Sequence, residues 1–239
     1  MKNYVVWHNC HINETEYKFG IEPCASTEAR NAYDTMHRIS KASAEKFLQG
    51  DWEAVVFTEP AESRVEMFKH SWFRIWDMWH DEPCNILYLD SDTLFLRPTE
   101  IFGKFKEYRL FNWTDPKQNH HFENYYNAGV RYMPGTMNDE VWEIGRKQAE
   151  NWRLDIWDQE QIIFNDMFWS QNISDPHHPE LNWQGMRIRD PDPRVRLAHE
   201  EWNQCKIEDA HIMHVHGSRS AQGTADLMKS LAQELNLLI

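Results

Sequence analysis

Two aspartates one residue apart stand at the end of an apolar run. Residues 87–96 read LYLDSDTLFL, so hydrophobic character passes into Asp90-Ser91-Asp92 and then resumes. In open α/β sheets ligands gather at the carboxyl ends of strands, where this pair is expected to lie. Two carboxylates about 4 Å apart repel by roughly 4 kcal/mol at an effective dielectric of about 20, and a cation between them removes that penalty. Oxygen donors suit a hard ion, Mg²⁺ or Mn²⁺, which typically keeps positions open for substrate phosphates. An aspartate capping a strand end accounts for one acid here and poorly for two.

The elements around this pair follow from periodicity. Residues 4–8 and 53–58 are short apolar runs suited to buried strands. Between them, residues 27–48 carry Ala29, Tyr33, Met36, Ile39 and Phe47 near helical spacing, with Ser26 as a cap and Gly50 as a stop. The helical pattern returns over residues 63–80, and 85–89 (NILYL) reads as a strand. Such alternation implies a mostly parallel sheet covered by helices. Further on, strands are expected at 108–112, 129–133 and 211–215, and helices at 138–152, 159–168 and 225–237. The stretch 174–196 holds Pro176, Pro179, Pro191 and Pro193 and reads as an irregular surface excursion. No repeat or linker suggests a cut, so residues 1–239 are expected to form one α/β domain.

Composition narrows the function. With 25 basic and 38 acidic side chains the formal net charge is −13, which argues against a nucleic-acid binder. Hydrophobic residues make up 41%, enough for a buried core. No stretch approaches the roughly 18 apolar residues needed to cross a bilayer, and the N-terminus has no signal-peptide pattern; the expected location is the cytoplasm. The four cysteines are far apart, without a C-x-x-C pair, and read as structural thiols. Most of the twelve tryptophans read as core; Trp113, Trp157 and Trp183 fall in expected loops and are candidates for an acceptor surface.

Four ordered blocks resemble the GT-A glycosyltransferases, and among them family 8, which includes glycogenin and the lipooligosaccharide galactosyltransferases. SWFRIWDMWHDEPCNILYLDSDTLFLRP (71–98) is similar to the helix and Asp-x-Asp strand of that fold, and YYNAGVRYM (125–133) to its Asn-Ala/Ser-Gly-Val block. DQEQIIFN (158–165) resembles the Asp-Gln-Asp block, and IMHVHG (212–217) the His-x-x-Gly element. The resemblance implies a Rossmann-like nucleotide-diphospho-sugar transferase fold, a mixed central sheet flanked by helices. It places a nucleotide-binding half at about 1–98 and an acceptor and sugar half at about 99–239.

The resemblance also implies roles. Asp92 would bind the metal, Asp90 the metal or the ribose, and His214 would be the third ligand, with His216 as the competing choice. An imidazole ligand leans the site toward Mn²⁺ over Mg²⁺. Ser91 belongs to the same donor-binding turn, and Arg74 would contact the donor or the first aspartate. Gly217 and Arg219 would lie at the diphosphate, and Trp7, His8 and Asn9, at the end of the first strand, are candidates for the base and ribose. Asn127 would contact the transferring sugar or the acceptor, and Asp158 and Gln159 the donor sugar's hydroxyls, with Asp158 or Gln159 stabilising an oxocarbenium-like transition state. The family's third block ends in Asp where this chain has Glu160, and the Lys-Pro-Trp run that often follows His-x-x-Gly is Ser218-Arg219-Ser220-Ala221 here.

The expected activity is metal-dependent transfer of a hexose from a nucleoside-diphosphate sugar, with a UDP-sugar as donor, to a glycan or other hydroxyl acceptor with retention. An inverting transferase with Asp158 or Glu160 as base is the alternative within enzymes. A non-catalytic sugar-binding module and a nucleotidyltransferase are the rivals outside that class. The first has no need of Asp90, Asp92, Asn127, Asp158 and His214 together. The second lacks its Gly-rich loop, since WHNCHINE (7–14) follows the first strand.

Overall fold

The computed structural model describes residues 1–15, 24–104, 109–110, 129–136, 139–150, 152, 181–183, 186–188, 195–198, 210–215 and 220–238. Through the first half the described chain runs β1 (Lys2–His8), α1 (Thr27–Phe47), β2 (Leu48–Gln49), β3 (Glu53–Phe57), α2 (Arg64–Asp81), β4 (Cys84–Leu89), β5 (Thr93–Phe95) and β6 (Thr99–Glu100). It continues through β7 (Arg109–Leu110), β8 (Val130–Met133), α3 (Asp139–Glu150), β9 (Leu181–Trp183), β10 (Met186–Ile188), β11 (Val195–Ala198), β12 (Ile212–Val215) and α4 (Ala221–Glu234).

Strand β1 lies inside the main sheet, of order β3-β1-β4-β8-β7. It pairs in parallel with β3 and β4, while β8 runs antiparallel to β4 and β7. A strand covered on both faces must be apolar throughout, and Val5, Val6 and Trp7 are fully buried. On one face α2 packs Trp72, Ile75, Trp76 and Trp79 onto Val6, Ile86, Tyr88 and Met133. On the other, Val5, Trp7, Leu87 and Leu89 meet Ala44, Leu48 and Phe95. Helix α1 also packs Ala32, Met36 and Ile39 against Leu94, Met213 and Met228, in a cluster that includes residues of β12 and α4. Through these contacts α1 braces a second sheet, β11-β12-β5, against the first.

Helix boundaries follow their caps. The Ser26 hydroxyl accepts from the Ala29 N–H at 3.0 Å, opening α1 where the sequence places it. The helix ends at Phe47, Leu48 enters β2, and Gly50 takes the left-handed conformation, φ 95°, that favours glycine. Ser63 caps α2 at the Glu66 N–H. Helix α4 begins at Ala221, four residues before the expected start, because the Ser220 hydroxyl accepts from the Gly223 N–H at 3.1 Å. The first turn, Ala221-Gln222-Gly223, lacks the apolar spacing that marks a helix.

The proline-rich stretch 174–196 is not uniformly irregular. It contains an antiparallel pair in which Trp183 faces Met186 and Leu181 faces Ile188, and β11 begins at Val195. Pro176, Pro179, Pro191 and Pro193 lie outside the described residues. Trp183 therefore lies in a strand, whereas a loop was expected. Trp113, Trp157 and the expected helix 159–168 lie outside the described residues.

Candidate metal centre

Strand β4 delivers Leu89 to the edge of the sheet, and the backbone then turns. The Asp90 N–H donates to the Gly129 carbonyl at 2.7 Å, and the Asp90 carbonyl accepts from the Thr93 N–H at 3.1 Å and the Thr93 hydroxyl at 2.7 Å. After this turn β5 pairs antiparallel with β12, setting His214 opposite Thr93. The Val215 N–H donates to the Asp92 carbonyl at 2.8 Å, locking β12 to the turn.

These pairings bring together two carboxylates and an imidazole. His214 Nε2 lies 3.0 Å from Asp92 Oδ1 and 3.6 Å from Asp90 Oδ2, and one ligand atom from each residue falls within 4.8 Å of the others. His214 is buried, at 3% side-chain exposure, while Asp90 and Asp92 are about a quarter exposed. The cluster is thus closed behind and open in front. Burial pushes the Asp90 carboxyl above its usual range; His214, Arg131 and the Tyr88 hydroxyl oppose that rise, and Asp92 adds to it. Burial alone would lower the His214 imidazole, but the carboxylates of Asp92 and Asp90 outweigh it and leave it raised. Two carboxylate oxygens and one imidazole nitrogen, converging with one side open, fit a divalent cation such as Mn²⁺ or Mg²⁺.

A chain of hydroxyls supports the turn from beneath. Since the Thr93 hydroxyl donates to the Asp90 carbonyl, it accepts from the Ser40 hydroxyl at 3.1 Å. Ser40 in turn accepts from the Trp7 indole N–H at 2.9 Å. Each buried donor in this relay has a partner, which fixes the height of α1 against the turn.

The other expected site residues are distributed unevenly. Ser91 donates to the His8 carbonyl at 3.0 Å, tying the turn to the end of β1. His8 is buried edge-on against Phe57, and among the described residues neither of its ring nitrogens has a hydrogen-bond partner. Asn9 follows it, its side-chain amide donating to Asp34 of α1 at 3.0 Å. Arg74 pairs with the Glu59 carboxylate beyond β3 and lies over the Phe57 ring. Asn127, Asp158, Gln159, Glu160, His216, Gly217 and Arg219 lie outside the described residues. Gly129, from the same block as Asn127, is within it and abuts Asp90.

The motif reading passes over Arg131, which is buried opposite Tyr88 with its guanidinium carbon 3.8 Å from the centroid of that ring. Its signal was available: a charged residue inside the apolar run GVRYM is costly unless paired.

No protein-family model matches the chain, and no curated protein matches it in sequence. Solved structures do. One is a glycosyltransferase involved in glycosylation of the major capsid of PBCV-1, with 12% identity over 96% of this chain and 100% of that one, at a TM-score of 0.55. The bifunctional glycosyltransferase WbbM shares 9% identity, with 98% of this chain aligned to 51% of its own and a TM-score of 0.51. The glycosyltransferase GlyE of Streptococcus pneumoniae TIGR4 shares 12% identity, with 98% of this chain aligned to 62% of its own and a TM-score of 0.50. The chain thus spans the whole of the first and between half and two thirds of the other two. At these identities the likeness is one of fold, and the mixed α/β architecture described above is GT-A-like.

Proposed function

We propose that this chain is a metal-dependent glycosyltransferase, similar to family 8, which moves a hexose from a nucleoside-diphosphate sugar to a glycan or other hydroxyl acceptor. The observation that carries this reading is the convergence of Asp90, Asp92 and His214 at the carboxyl edge of β4, in a fold shared with glycosyltransferases. Asp90, Asp92 and His214 hold the ion, Mn²⁺ in preference to Mg²⁺ because of the imidazole. When bound, the ion supplies Lewis-acid neutralisation of the diphosphate leaving group.

The remaining roles belong to the chain. His8 and Asn9, at the end of β1 on the same sheet edge as Asp90, contact the base and ribose of a UDP-sugar. Neither ring nitrogen of the buried His8 imidazole has a hydrogen-bond partner among the described residues. Ser91 holds the turn against β1, and Arg74 exchanges Glu59 for donor phosphate. By resemblance, Gly217 and Arg219 approach the diphosphate, and Asn127, Asp158 and Gln159 position the sugar for transfer with retention. The chain works as one domain, nucleotide on residues 1–98 and acceptor on 99–239. Among the described residues no helix is long and apolar enough to cross a membrane.

A panel of nucleotide-sugars, screened by thermal shift and slow donor hydrolysis with Mn²⁺ and again with EDTA, tests this reading. Stabilisation and hydrolysis confined to one nucleotide class, and lost with EDTA, are expected. A folded protein that responds to no nucleotide-sugar would sink it. The product anomer, read by proton NMR, separates retention from inversion.

A further inference from the structure

Two arginines beside the connection from β1 to α1 are treated differently. Arg64 is buried; its Nε donates to the Cys24 sulfur at 2.6 Å and stands 3.8 Å from a Glu14 carboxylate oxygen. A buried cation is ordinarily neutralised in this way. Arg30, in the first turn of α1, lines a cavity of about 30 Å³ with Asn9, Cys10, His11, Cys24 and Asp34. Among the described residues Arg30 has no ion pair, and its Nε is buried without a hydrogen-bond partner. Asp34, four residues on, is the helix neighbour that would pair with it. The Asp34 carboxylate instead accepts from the Asn9 side-chain amide at 3.0 Å.

We propose that Arg30 binds a phosphate of the nucleoside-diphosphate donor. This rests on the reading of the chain as a nucleotide-sugar transferase. The cavity stands next to the candidate metal centre: Asn9 follows His8, whose carbonyl accepts from Ser91 of the Asp90–Asp92 turn at 3.0 Å. Its volume decides what enters. A water-sized group needs about 10–15 Å³ of such space, so the cavity admits one or two oxygen atoms and neither a base nor a sugar ring. The oxygen that best satisfies an unpaired guanidinium carries negative charge, and the planar fork of arginine matches phosphate. In a nucleoside diphosphate the ribose is bonded directly to the first phosphate. With Asn9 at the ribose, the group that follows along the donor is that phosphate, and the cation sharing the cavity with Asn9 is Arg30. A chain of net charge −13 needs such local positive charge to receive a diphosphate.

The test is titration calorimetry with Mn²⁺ present, using UDP and, separately, inorganic pyrophosphate, which carries the diphosphate without base or ribose. Wild type, Arg30→Met, Arg30→Gln and Arg30→Lys are compared, each with its ligand-free melting temperature. Arg30→Met and Arg30→Gln are expected to bind both ligands about 10- to 100-fold more weakly, the loss that follows from one hydrogen bond to a charged group. Their ligand-free melting temperatures should stay close to wild type. Arg30→Lys, which keeps the charge without the fork, should fall between. Unchanged affinity for both ligands, with or without a lowered melting temperature, overturns the inference. Weaker UDP binding with unchanged pyrophosphate binding also overturns it, because Arg30 then contacts the base or ribose. Should Arg30→Met fail to fold, Arg30→Gln decides by the same readings. A wild type that binds neither ligand sinks the donor reading itself, a result distinct from unchanged affinity in the variants.

Discussion

Nε2 of His214 stands 3.0 Å from Oδ1 of Asp92, although the two residues belong to motif blocks at opposite ends of the resemblance. The contact exists because β12 pairs with β5 in the one register that sets His214 opposite Thr93, next to Asp92. A shift of one residue would turn the imidazole to the other face of its sheet. The candidate metal centre is therefore a product of strand register.

Removing one of its donors should show this directly. A ligand at 100 times its dissociation constant stabilises a protein by about 2.7 kcal/mol, a shift of roughly 5–10 °C in melting temperature for a chain of this size. Mn²⁺ should produce such a shift in wild type and none in Asp92→Asn, whose amide is a poor ligand. A wild-type Mn²⁺ shift in the variant would remove Asp92 from the site.

Ser40 joins Trp7 to Thr93 beneath the turn. Ser40→Ala leaves the buried Trp7 indole N–H without its acceptor and the Thr93 oxygen without its donor. A loss of about 1–3 kcal/mol in urea unfolding is expected. A loss below about 0.5 kcal/mol would show that the relay contributes little to stability.

His8 makes stability depend on acid. Burial lowers its pKa from 6.5 to about 4, with Glu59 opposing and His70, Arg131 and Arg74 adding to the fall. As pH drops below 6.5 the unfolded chain takes up this proton first, so stability is full above that value and declines until about pH 4. The total is about 3 kcal/mol, roughly 2 of it between pH 7 and pH 5. His8→Phe should lose that much less than wild type over the same interval of denaturant titrations. Equal losses in the two proteins would show that His8 is not buried neutral.

Trp76 tests the core reading of the tryptophans. It is 1% exposed, stacked on Trp72 at 5.5 Å and edge-on to Trp79 at 5.3 Å. Trp76→Ala should cost about 3–5 kcal/mol in chemical denaturation. A cost under about 1 kcal/mol would mean that α2 packs more loosely on the sheet than these contacts indicate.

Strands β1, β3 and β4 and helices α1 and α2 were legible from the chain alone, because burial writes its period locally. A strand covered on both faces is apolar throughout, as in Val5-Val6-Trp7, and a helix on a sheet repeats its apolar side every third or fourth residue, as in Trp72, Ile75, Trp76 and Trp79. Asp90 and Asp92 were legible for the same reason, as acids at the end of a run that otherwise pays no polar cost. His214 was reached only through resemblance, since nothing local to IMHVHG says which strand it will face.

Pairing and partner choice lay beyond local pattern. Arg74 had the right type and place in the chain, yet it meets Glu59, while Arg131, inside an apolar strand, lies over the Tyr88 ring. The early start of α4 at Ser220 and the hairpin of β9 and β10 were hidden in the same way, behind a polar turn and a proline-rich composition. Propensity and period act over a few residues, whereas register and charge pairing join segments more than a hundred residues apart. Those are settled by which faces can be buried together once the sheet has formed.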